Sequence, residues 1–175
     1  MRRADREERR LLAAVRAGST ADLERLFRLH WPRAHRAALL VVHDTAAAED
    51  IAQEAFVSAL RSLDRFDRRR PFGPWLHRIV VNRAIDWSRT RALRNEAPLA
   101  AGLDSGDWDV PGSPISDEIA AALVALDPDR RAVIVLRYLL DYTPGEIADL
   151  LELPRGTVNS RLRRALDELS EEVQR

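Results

Sequence analysis

The amino-acid sequence predicts an all-α fold made of two small helical domains that are joined by a flexible acidic linker. Apolar residues recur at helical spacing through most of the chain, and no segment alternates with period two for long enough to predict a sheet. A stretch rich in Pro, Gly and acidic residues interrupts these patterns. The C-terminal part then contains two short amphipathic helices joined by a tight turn, which predicts a helix-turn-helix.

The first domain is predicted to span residues 1–94. Helical periodicity indicates four helices, at residues 5–17, 21–42, 45–62 and 72–94. The second helix is expected to break near Pro32, because proline lacks the N–H that an interior helical position donates. Residues 61–94 carry ten Arg and three acidic residues, so the positive charge lies around the fourth helix.

The linker is predicted at residues 95–116 and the second domain at residues 117–175. From Glu96 the linker reads EAPLAAGLDSGDWDVPGSPIS, which sustains neither a helical nor a strand period. Residues 95–129 contain eight acidic residues and no basic one. The formal net charge of zero therefore conceals a basic segment followed by an acidic one.

The helix-turn-helix is predicted between Tyr142 and Glu168, with Thr143 capping its first helix. The apolar face of that helix consists of Ile147, Leu150 and Leu151. Pro154 ends the first helix and Gly156 is expected to permit the turn. The second helix has an arginine-rich outer face, as a helix that enters a DNA major groove requires, although an ordinary helical hairpin with a solvated basic face is the alternative.

Helical geometry separates the polar residues of this second helix by role. With Val158 facing the core, Arg163 and Ser160 lie on the outward arc and Asn159 on its flank. Arg163 and Asn159 are therefore the candidates for contacts with base edges. The candidate phosphate anchors are Arg155, Thr157, Arg161 and Arg164.

The third helix has two contrasting faces. Its small residues, Ala48, Ala52, Ala55 and Ala59 with Ile51, suit close helix packing. A polar arc lies elsewhere on the helix and consists of Asp50, Gln53, Glu54 and Val57. This arc is either solvent-exposed surface or a docking face for another protein, and the pattern alone favours solvent.

The fourth helix and the loop before it combine arginine with aromatic residues. Arg78, Asn82 and Arg89 share one arc of the helix, with Trp75 beside them. The loop, SLDRFDRRRPF, contains Arg68, Arg69 and Phe72. Such a mixture suits single-stranded nucleic acid, because bases stack on rings while guanidinium groups hold the backbone. Alternatively, the aromatic residues belong to the core, which is the interpretation favoured for Trp87.

The sequence excludes several other classes of protein. Without Cys, the chain has no disulfide, thiolate metal site or thiol nucleophile. The four His residues lack metal-ligand spacing, and no Gly-rich loop or nucleophile with a base is evident, so we expect neither an enzyme nor a cofactor. No apolar run approaches the roughly 20 residues that span a bilayer, and the charged N-terminus differs from a signal peptide, which predicts a cytoplasmic protein without membrane insertion.

Three runs of sequence carry a family resemblance. AAAEDIAQEAFVSAL, PFGPWLHRIVVNRAIDWSR and LDPDRRAVIVLRYLLDYTPGEIADLLELPRGTVNSRLRRAL resemble, in order and spacing, regions 2 and 4 of bacterial sigma factors of the extracytoplasmic-function type. The resemblance implies a protein that binds core RNA polymerase and promoter DNA and assists promoter opening. It further implies regulation by an anti-sigma protein.

The resemblance also assigns roles to the residues. It implies that Asp50, Gln53, Glu54 and Val57 dock on core polymerase. It implies contacts with the -10 element by Arg68, Arg69, Phe72, Trp75, Arg78, Asn82 and Arg89. For the -35 element the resemblance implies only that the second domain binds it, because Asn159 and Arg163 depart from the family pattern. Helix geometry supplies the candidate contacts there, which are Arg155, Thr157, Asn159, Ser160, Arg161, Arg163 and Arg164.

A second hypothesis is a stand-alone regulator that binds an operator as a dimer through the same helix-turn-helix. Such a dimer needs a self-complementary apolar face. The helix predicted from Asp129 to Tyr142 is its candidate source, because its apolar residues exceed what one face can bury. These residues are Val133, Val135, Leu136, Leu139 and Leu140.

Overall fold

The computed structural model describes residues 3–67, 69–94 and 117–173. The α-helices in these residues are α1 (Arg3–Arg16), α2 (Thr20–Val42), α3 (Thr45–Arg61), α4 (Phe72–Leu93), α5 (Asp117–Ala125), α6 (Pro128–Ile134), α7 (Pro144–Leu151) and α8 (Arg155–Val173). A 3-10 turn, Leu63–Arg65, follows α3, and a π-type turn, Val135–Leu139, follows α6. The all-α prediction is confirmed, while the predicted linker and Arg68 lie outside the described residues.

The first helical group, α1–α4, is built around α2, which contacts each of the other three helices. Leu26 and Leu40 of α2 and Leu76 of α4 are fully buried in its core. The small residues of α3 are also fully buried: Ala48, Ala52, Ala55 and Ala59. Because their side chains are short, the backbone of α3 can approach α2 and α4 closely.

The prediction that the second helix breaks near Pro32 is wrong. α2 is one helix from Thr20 to Val42 with Pro32 inside it. Pro32 is exposed, so the carbonyl of Arg28, which loses its helical donor, can bond to water instead. Ala34 and Ala37 are buried immediately after it, and this tertiary packing holds the helix together.

A two-residue turn joins α2 to α3. His43 ends α2 in the left-handed conformation, with a φ of 53°, and its N–H donates to the carbonyl of Leu39 at 2.8 Å. Asp44 caps α3 by accepting the N–H of Ala47 at 2.9 Å. Its carboxylate also binds Arg91 of α4 at 3.1 Å, so the start of α3 is fixed to α4.

The second helical group, α5–α8, contains the helix-turn-helix. Thr143 caps α7 in a reciprocal arrangement, in which its hydroxyl accepts the N–H of Glu146 and the Glu146 carboxylate accepts the N–H of Thr143 at 2.8 Å. These hydrogen bonds from Thr143 lower the pKa of Glu146. Against α7 pack the buried residues of α8, which are Val158, Leu162 and Ala165.

α6 lies between the two groups and is buried on both sides. It contacts α8 of its own group and α2 and α4 of the first group. Val133, Val135 and Leu136 are fully buried as a result, and Leu140 is only 7% exposed. The apolar residues that were expected to form a dimer interface are therefore already covered within the chain. Helix α8 covers some of them, and the first helical group covers the others.

Arg131 of α6 is a buried polar residue at this boundary, where Nδ1 of the buried His77 of α4 also lies 2.8 Å from the hydroxyl of Tyr142. Its guanidinium donates to the carbonyls of Leu123, Val124 and Leu126 at 2.7–2.9 Å and to that of Val41 at 2.5 Å. These carbonyls lie at the C-terminal ends of α5 and α2, where helical donors run out and the helix dipole favours a cation. Burial lowers the pKa of Arg131 to about 10, which leaves the side chain charged at neutral pH.

Two buried histidines predict how stability depends on pH. Burial lowers the pKa values of His43 and His77 to about 3, with Arg131 contributing at His43. In the unfolded chain the same groups titrate near 6.5, so between pH 6.5 and 3 the unfolded state binds more protons. The free energy of unfolding should therefore decrease as the pH falls below 6.5, by up to about 1.4 kcal/mol per pH unit for each histidine.

Urea unfolding between pH 7 and pH 5 measures this slope. His43→Gln and His77→Gln should each make the free energy of unfolding less dependent on pH in this window. A slope that neither substitution changes would contradict the assignment of both histidines as buried and neutral.

Candidate functional site

The helix-turn-helix is formed by α7 and α8, and its turn differs from the predicted one. Glu152 ends α7 in the left-handed conformation with a φ of 55°, whereas Gly156 lies in the first turn of α8. The prediction that Gly156 permits the turn is therefore wrong. A non-glycine residue in this conformation costs about 1–2 kcal/mol. Two hydrogen bonds to the carbonyl of Ala148, from the N–H groups of Glu152 and Leu153, help to offset that cost.

The exposed face of α8 carries most of the predicted DNA-contacting residues. Arg155, Asn159 and Arg163 are exposed and follow one another at intervals of four, and Arg164 is exposed beside them. Three arginines on this face form a positive surface that begins at the N-terminal end of α8 and continues along the helix. At that end the backbone N–H groups also favour an anion. This arrangement agrees with the predicted groove-facing helix.

Three predicted residues of α8 are less accessible than expected. Thr157 and Ser160 are half-buried, and the Ser160 hydroxyl donates to the carbonyl of Thr157 at 2.9 Å. Ser160 therefore does not lie on the open outward arc that was predicted for it. Arg161 is also half-buried and binds the carboxylate of Asp129 at 2.9 Å.

The polar arc of α4 faces the second helical group. Arg78 forms an ion pair with Glu152 in the turn of the helix-turn-helix, and Asn82 is half-buried one turn later. Arg89 donates to both carboxylate oxygens of Asp129, at 2.7 and 2.8 Å, and this interaction raises its pKa. Asp129 thus binds one arginine from each predicted DNA surface, Arg89 and Arg161.

The aromatic residues near the start of α4 divide into buried and accessible ones. Phe72 is fully buried and Phe66 is 7% exposed, so both are core residues. The expectation that Phe72 contacts DNA is not met in this structure, because its ring is buried against those of His30, Phe66 and Trp75. Trp75 remains half-buried and packs on Phe66 with 4.7 Å between ring centroids. Trp87, for which a core position was favoured, is also half-buried.

The basic residues of the loop are exposed where the structure describes them. Arg69 binds the carboxylate of Asp67 at 3.1 Å, and its side chain is 91% exposed. This interaction lowers the pKa of Asp67 and raises that of Arg69. Such an exposed pair separates readily when a phosphate competes for the guanidinium.

The polar arc of α3 lies on the molecular surface. Asp50, Gln53 and Glu54 are exposed, and Val57, one helical turn beyond Gln53 and Glu54, is 45% exposed. Glu54 binds Arg83 of α4 at 2.7 Å. The predicted arc is therefore an accessible surface of mixed polar and apolar character.

Comparison with known proteins places both helical groups in one family. The family model for sigma-70 region 2 matches residues 26–94, and that for sigma-70 region 4 matches residues 116–169. The ECF RNA polymerase sigma factor SigM of Mycobacterium tuberculosis is 34% identical over 165 residues, which are 93% of this chain and 83% of SigM. The chain belongs to the extracytoplasmic-function family of sigma factors.

Other sigma factors of this family agree in sequence and in structure. SigW of Bacillus subtilis is 33% identical over 140 residues, which cover 72% of this chain and 75% of SigW. The solved structure of CnrH, from Cupriavidus metallidurans, in complex with the cytosolic domain of CnrY matches with a TM-score of 0.72. The match is 31% identical and covers 96% of this chain and 97% of that one.

Family membership confirms the sigma-factor hypothesis over the stand-alone operator-binding regulator. As a sigma factor the chain acts in transcription initiation, binds core RNA polymerase and promoter DNA, and is not an enzyme. Among the described residues, no helix is long and apolar enough to cross a bilayer. The same residues contain no group of three or more potential ligands that could hold a metal ion.

Sequence reasoning missed the acidic partners of the arginines. Asp129 and Glu152 were assigned no role, yet they bind Arg89, Arg161 and Arg78. The residues of each long-range pair are separated by 32 to 74 positions, and periodicity reports only neighbours within one helix. The excess of acidic residues in segment 95–129 is the one sequence signal that pointed toward such partners.

Proposed function

We propose that the two domains of this sigma factor divide the promoter between them. Residues 1–94 dock on core polymerase and bind and melt the -10 element, and residues 117–175 bind the -35 element. The observation that carries this division is the separate arginine-rich surface on each helical group, on α4 with its preceding loop and on α8. Polymerase and chromosomal DNA both occupy the cytoplasm, so the protein acts there.

The polar arc of α3 is the proposed surface for core polymerase. Asp50, Gln53, Glu54 and Val57 are exposed together, while the opposite face of α3 is buried against α2 and α4. Because the Asp44–Arg91 ion pair fixes the start of α3 to α4, polymerase bound to this arc would also orient the helix that carries Arg78 and Trp75.

Replacing Asp50, Gln53 and Glu54 together with Ala should weaken binding to core polymerase at least about tenfold, since a cluster at the centre of an interface contributes 2 kcal/mol or more. Helicity should be unchanged because all three side chains are exposed. Affinity can be measured by titrating labelled chain with core enzyme. The control is Asp167→Ala with Glu171→Ala, which removes two exposed carboxylates from α8. Equal affinity of the triple variant and this control would exclude the arc as a docking surface.

On α8 the exposed residues are the proposed readers of the -35 element. Arg163 and Asn159 face outward near the middle of the helix and are assigned to base edges. Arg155 and Arg164 are exposed toward the flanks and are assigned to phosphates. The half-buried Thr157, Ser160 and Arg161 contribute only after a rearrangement that exposes them.

The two kinds of arginine should differ in their effect on promoter choice. Arg163→Ala should relax selectivity at one position of the -35 element, corresponding to about 1–3 kcal/mol of discrimination. Arg164→Ala should reduce transcription from all -35 variants by a similar factor and reduce its salt dependence. Transcription from a set of single-base -35 variants measures both. Arg163 is not a base-reading residue if its loss lowers every variant by the same factor.

The α4 surface is engaged across the boundary between the domains in this conformation. Asp129 holds Arg89 and Glu152 holds Arg78, whereas the pair of Asp129 with Arg161 lies within the second domain. We infer that promoter binding requires the domains to separate, which releases Arg78 and Arg89 for phosphates. The free chain should therefore bind DNA more weakly than its exposed arginines alone would predict.

Asp129→Ala should strengthen binding of the free chain to promoter DNA by about twofold to thirtyfold, because it releases two partly exposed ion pairs, each worth about 0.2–1 kcal/mol. Fluorescence anisotropy with a labelled promoter duplex, in the absence of polymerase, measures this change. Asp167→Ala is the charge-matched control, since Asp167 is exposed on α8 away from the boundary. The inference is wrong if both substitutions increase affinity equally.

We further propose that an anti-sigma protein holds this chain inactive. The solved complex of CnrH with the cytosolic domain of CnrY supports this, since CnrH matches nearly the whole of this chain. Such a partner would compete with core polymerase. Purification of the chain from unstressed cells should recover an inhibitor that purified core displaces, and recovery of core polymerase alone would contradict the proposal.

A further inference from the structure

The N-terminal helix α1 contacts both ends of the loop that precedes α4. We propose that Glu8 and Arg16 of α1 are positioning residues, which hold the described parts of the loop before α4, residues 62–67 and 69–71, and the first turn of α4 in the geometry needed at the -10 element. This inference rests on the proposed role of that loop and of Trp75. It assigns a function to a helix that precedes the matched region 2, which begins at residue 26.

Arg16 fixes the beginning of the loop. Its guanidinium donates to the carbonyl of Leu63 in the 3-10 turn and to that of Phe66 at 3.4 Å, and it lies 3.8 Å from the carboxylate of Asp64. The Arg16 side chain is only 13% exposed, so these contacts are shielded from water. Hydrogen bonds from a charged donor in such a setting contribute more than neutral exposed ones.

Glu8 fixes the end of the loop. The N-cap residue of α4 is Pro71, which has no side-chain acceptor for the first N–H groups of the helix. The carboxylate of Glu8 takes this place, accepting the N–H of Phe72 at 3.2 Å, and its other oxygen lies 3.0 Å from Nε2 of His30. A carboxylate at a helix N-terminus is also favoured by the helix dipole. Helix α4 is therefore capped by a residue 64 positions earlier in the chain.

Buried aromatic rings connect these contacts to Trp75. Phe66, whose own carbonyl accepts from Arg16, packs on Trp75 with ring centroids 4.7 Å apart. Phe72, whose N–H binds Glu8, packs edge-on against Trp75 at 5.7 Å and against His30 at 5.1 Å. A displacement of either end of the loop would therefore move the rings on which Trp75 rests, because a close-packed cluster leaves little free space.

The polar contacts of α1 are separable from its packing. Leu11 and Leu12 are 6% and 3% exposed and anchor α1 in the core of the first helical group. Glu8 and Arg16 are about 12 Å apart along the helix axis, a distance that spans the two ends of the loop. Substitution of Leu12 should thus weaken the fold without removing the contacts to the loop. Substitution of Glu8 or Arg16 should remove those contacts while leaving the packing of α1 in place.

The test compares two promoters with the complete chain bound to core polymerase. One promoter is fully paired and the other carries a mismatched bubble at the -10 element, which removes the need for melting. Arg16→Met and Glu8→Ala should each lower the ratio of duplex to bubble transcription about tenfold, with unchanged affinity for core. Arg16→Lys and Glu8→Gln, which retain a donor and an acceptor, should recover part of this ratio.

Two controls separate positioning from stability. Leu12→Ala should lower the melting temperature at least as much as Arg16→Met while leaving the ratio at the wild-type value. Glu7→Ala, on the adjacent exposed position of α1, should change neither quantity. The inference is overturned if Leu12→Ala lowers the ratio as much as Arg16→Met, or if Arg16→Met and Glu8→Ala leave the ratio unchanged.

Trp75→Ala distinguishes failure of this inference from failure of the proposed function. If Trp75→Ala lowers the ratio while Arg16→Met does not, the -10 role stands and the role of α1 is wrong. If Trp75→Ala also leaves the ratio unchanged, the -10 assignment of this region is itself wrong, and the inference falls with it.

Discussion

The buried guanidinium of Arg131 is the contact on which the mutual placement of the two helical groups depends. It binds the C-terminal carbonyls of α5 within its own group and the carbonyl of Val41 at the end of α2 in the other. Helix C-termini lack internal donors, so a buried end without a partner would be costly. One side chain satisfies two such ends, and its positive charge agrees with the direction of both helix dipoles.

Near this contact, arginines that are assigned to promoter DNA form ion pairs with acidic residues. Arg78 and Arg89 of α4 lie on the surface assigned to promoter DNA, and the acidic residues Glu152 and Asp129 hold them across the boundary. Asp129 also binds Arg161 of α8 within the second group. These pairs are partly exposed, so they are weak individually and sensitive to salt. They differ in this respect from the buried contacts of Arg131 with Val41 and of His77 with Tyr142. The boundary thus combines buried polar contacts with weak ion pairs that phosphates can replace.

In the first helical group, two capping carboxylates fix the helices that carry the proposed binding surfaces. Asp44 caps α3 and binds α4, and Glu8 of α1 caps α4 in place of Pro71. Each carboxylate serves a helix N-terminus and at the same time ties that helix to another element. The proposed polymerase-docking arc and the proposed -10 surface therefore lie on helices that are bound to one another. A shift of one of these helices would move the next, because the capping carboxylates connect them.

The sequence by itself determined the helices, the family and most surface residues, because these depend on local spacing. The apolar period located α3 and α4 within one residue of their observed ends, and the outward position of Arg163 followed from helix geometry alone, whereas that of Ser160 did not hold. The sequence pattern also located the polar arc of α3. It could not show whether this arc is plain solvent-exposed surface or a docking face for another protein.

Only the tertiary structure decided which residues these helices bring into contact. Pro32 stays helical because buried neighbours hold it, Phe72 is a core residue because the rings of His30, Phe66 and Trp75 pack around it, and Glu152 takes the turn conformation expected for glycine. The contacts of Arg89 with Asp129, of Arg131 with Val41 and of Glu8 with Phe72 join residues that are 40 to 90 positions apart in the chain. Periodicity carries no information over such distances, since it records the face on which a residue lies and not the element that meets that face.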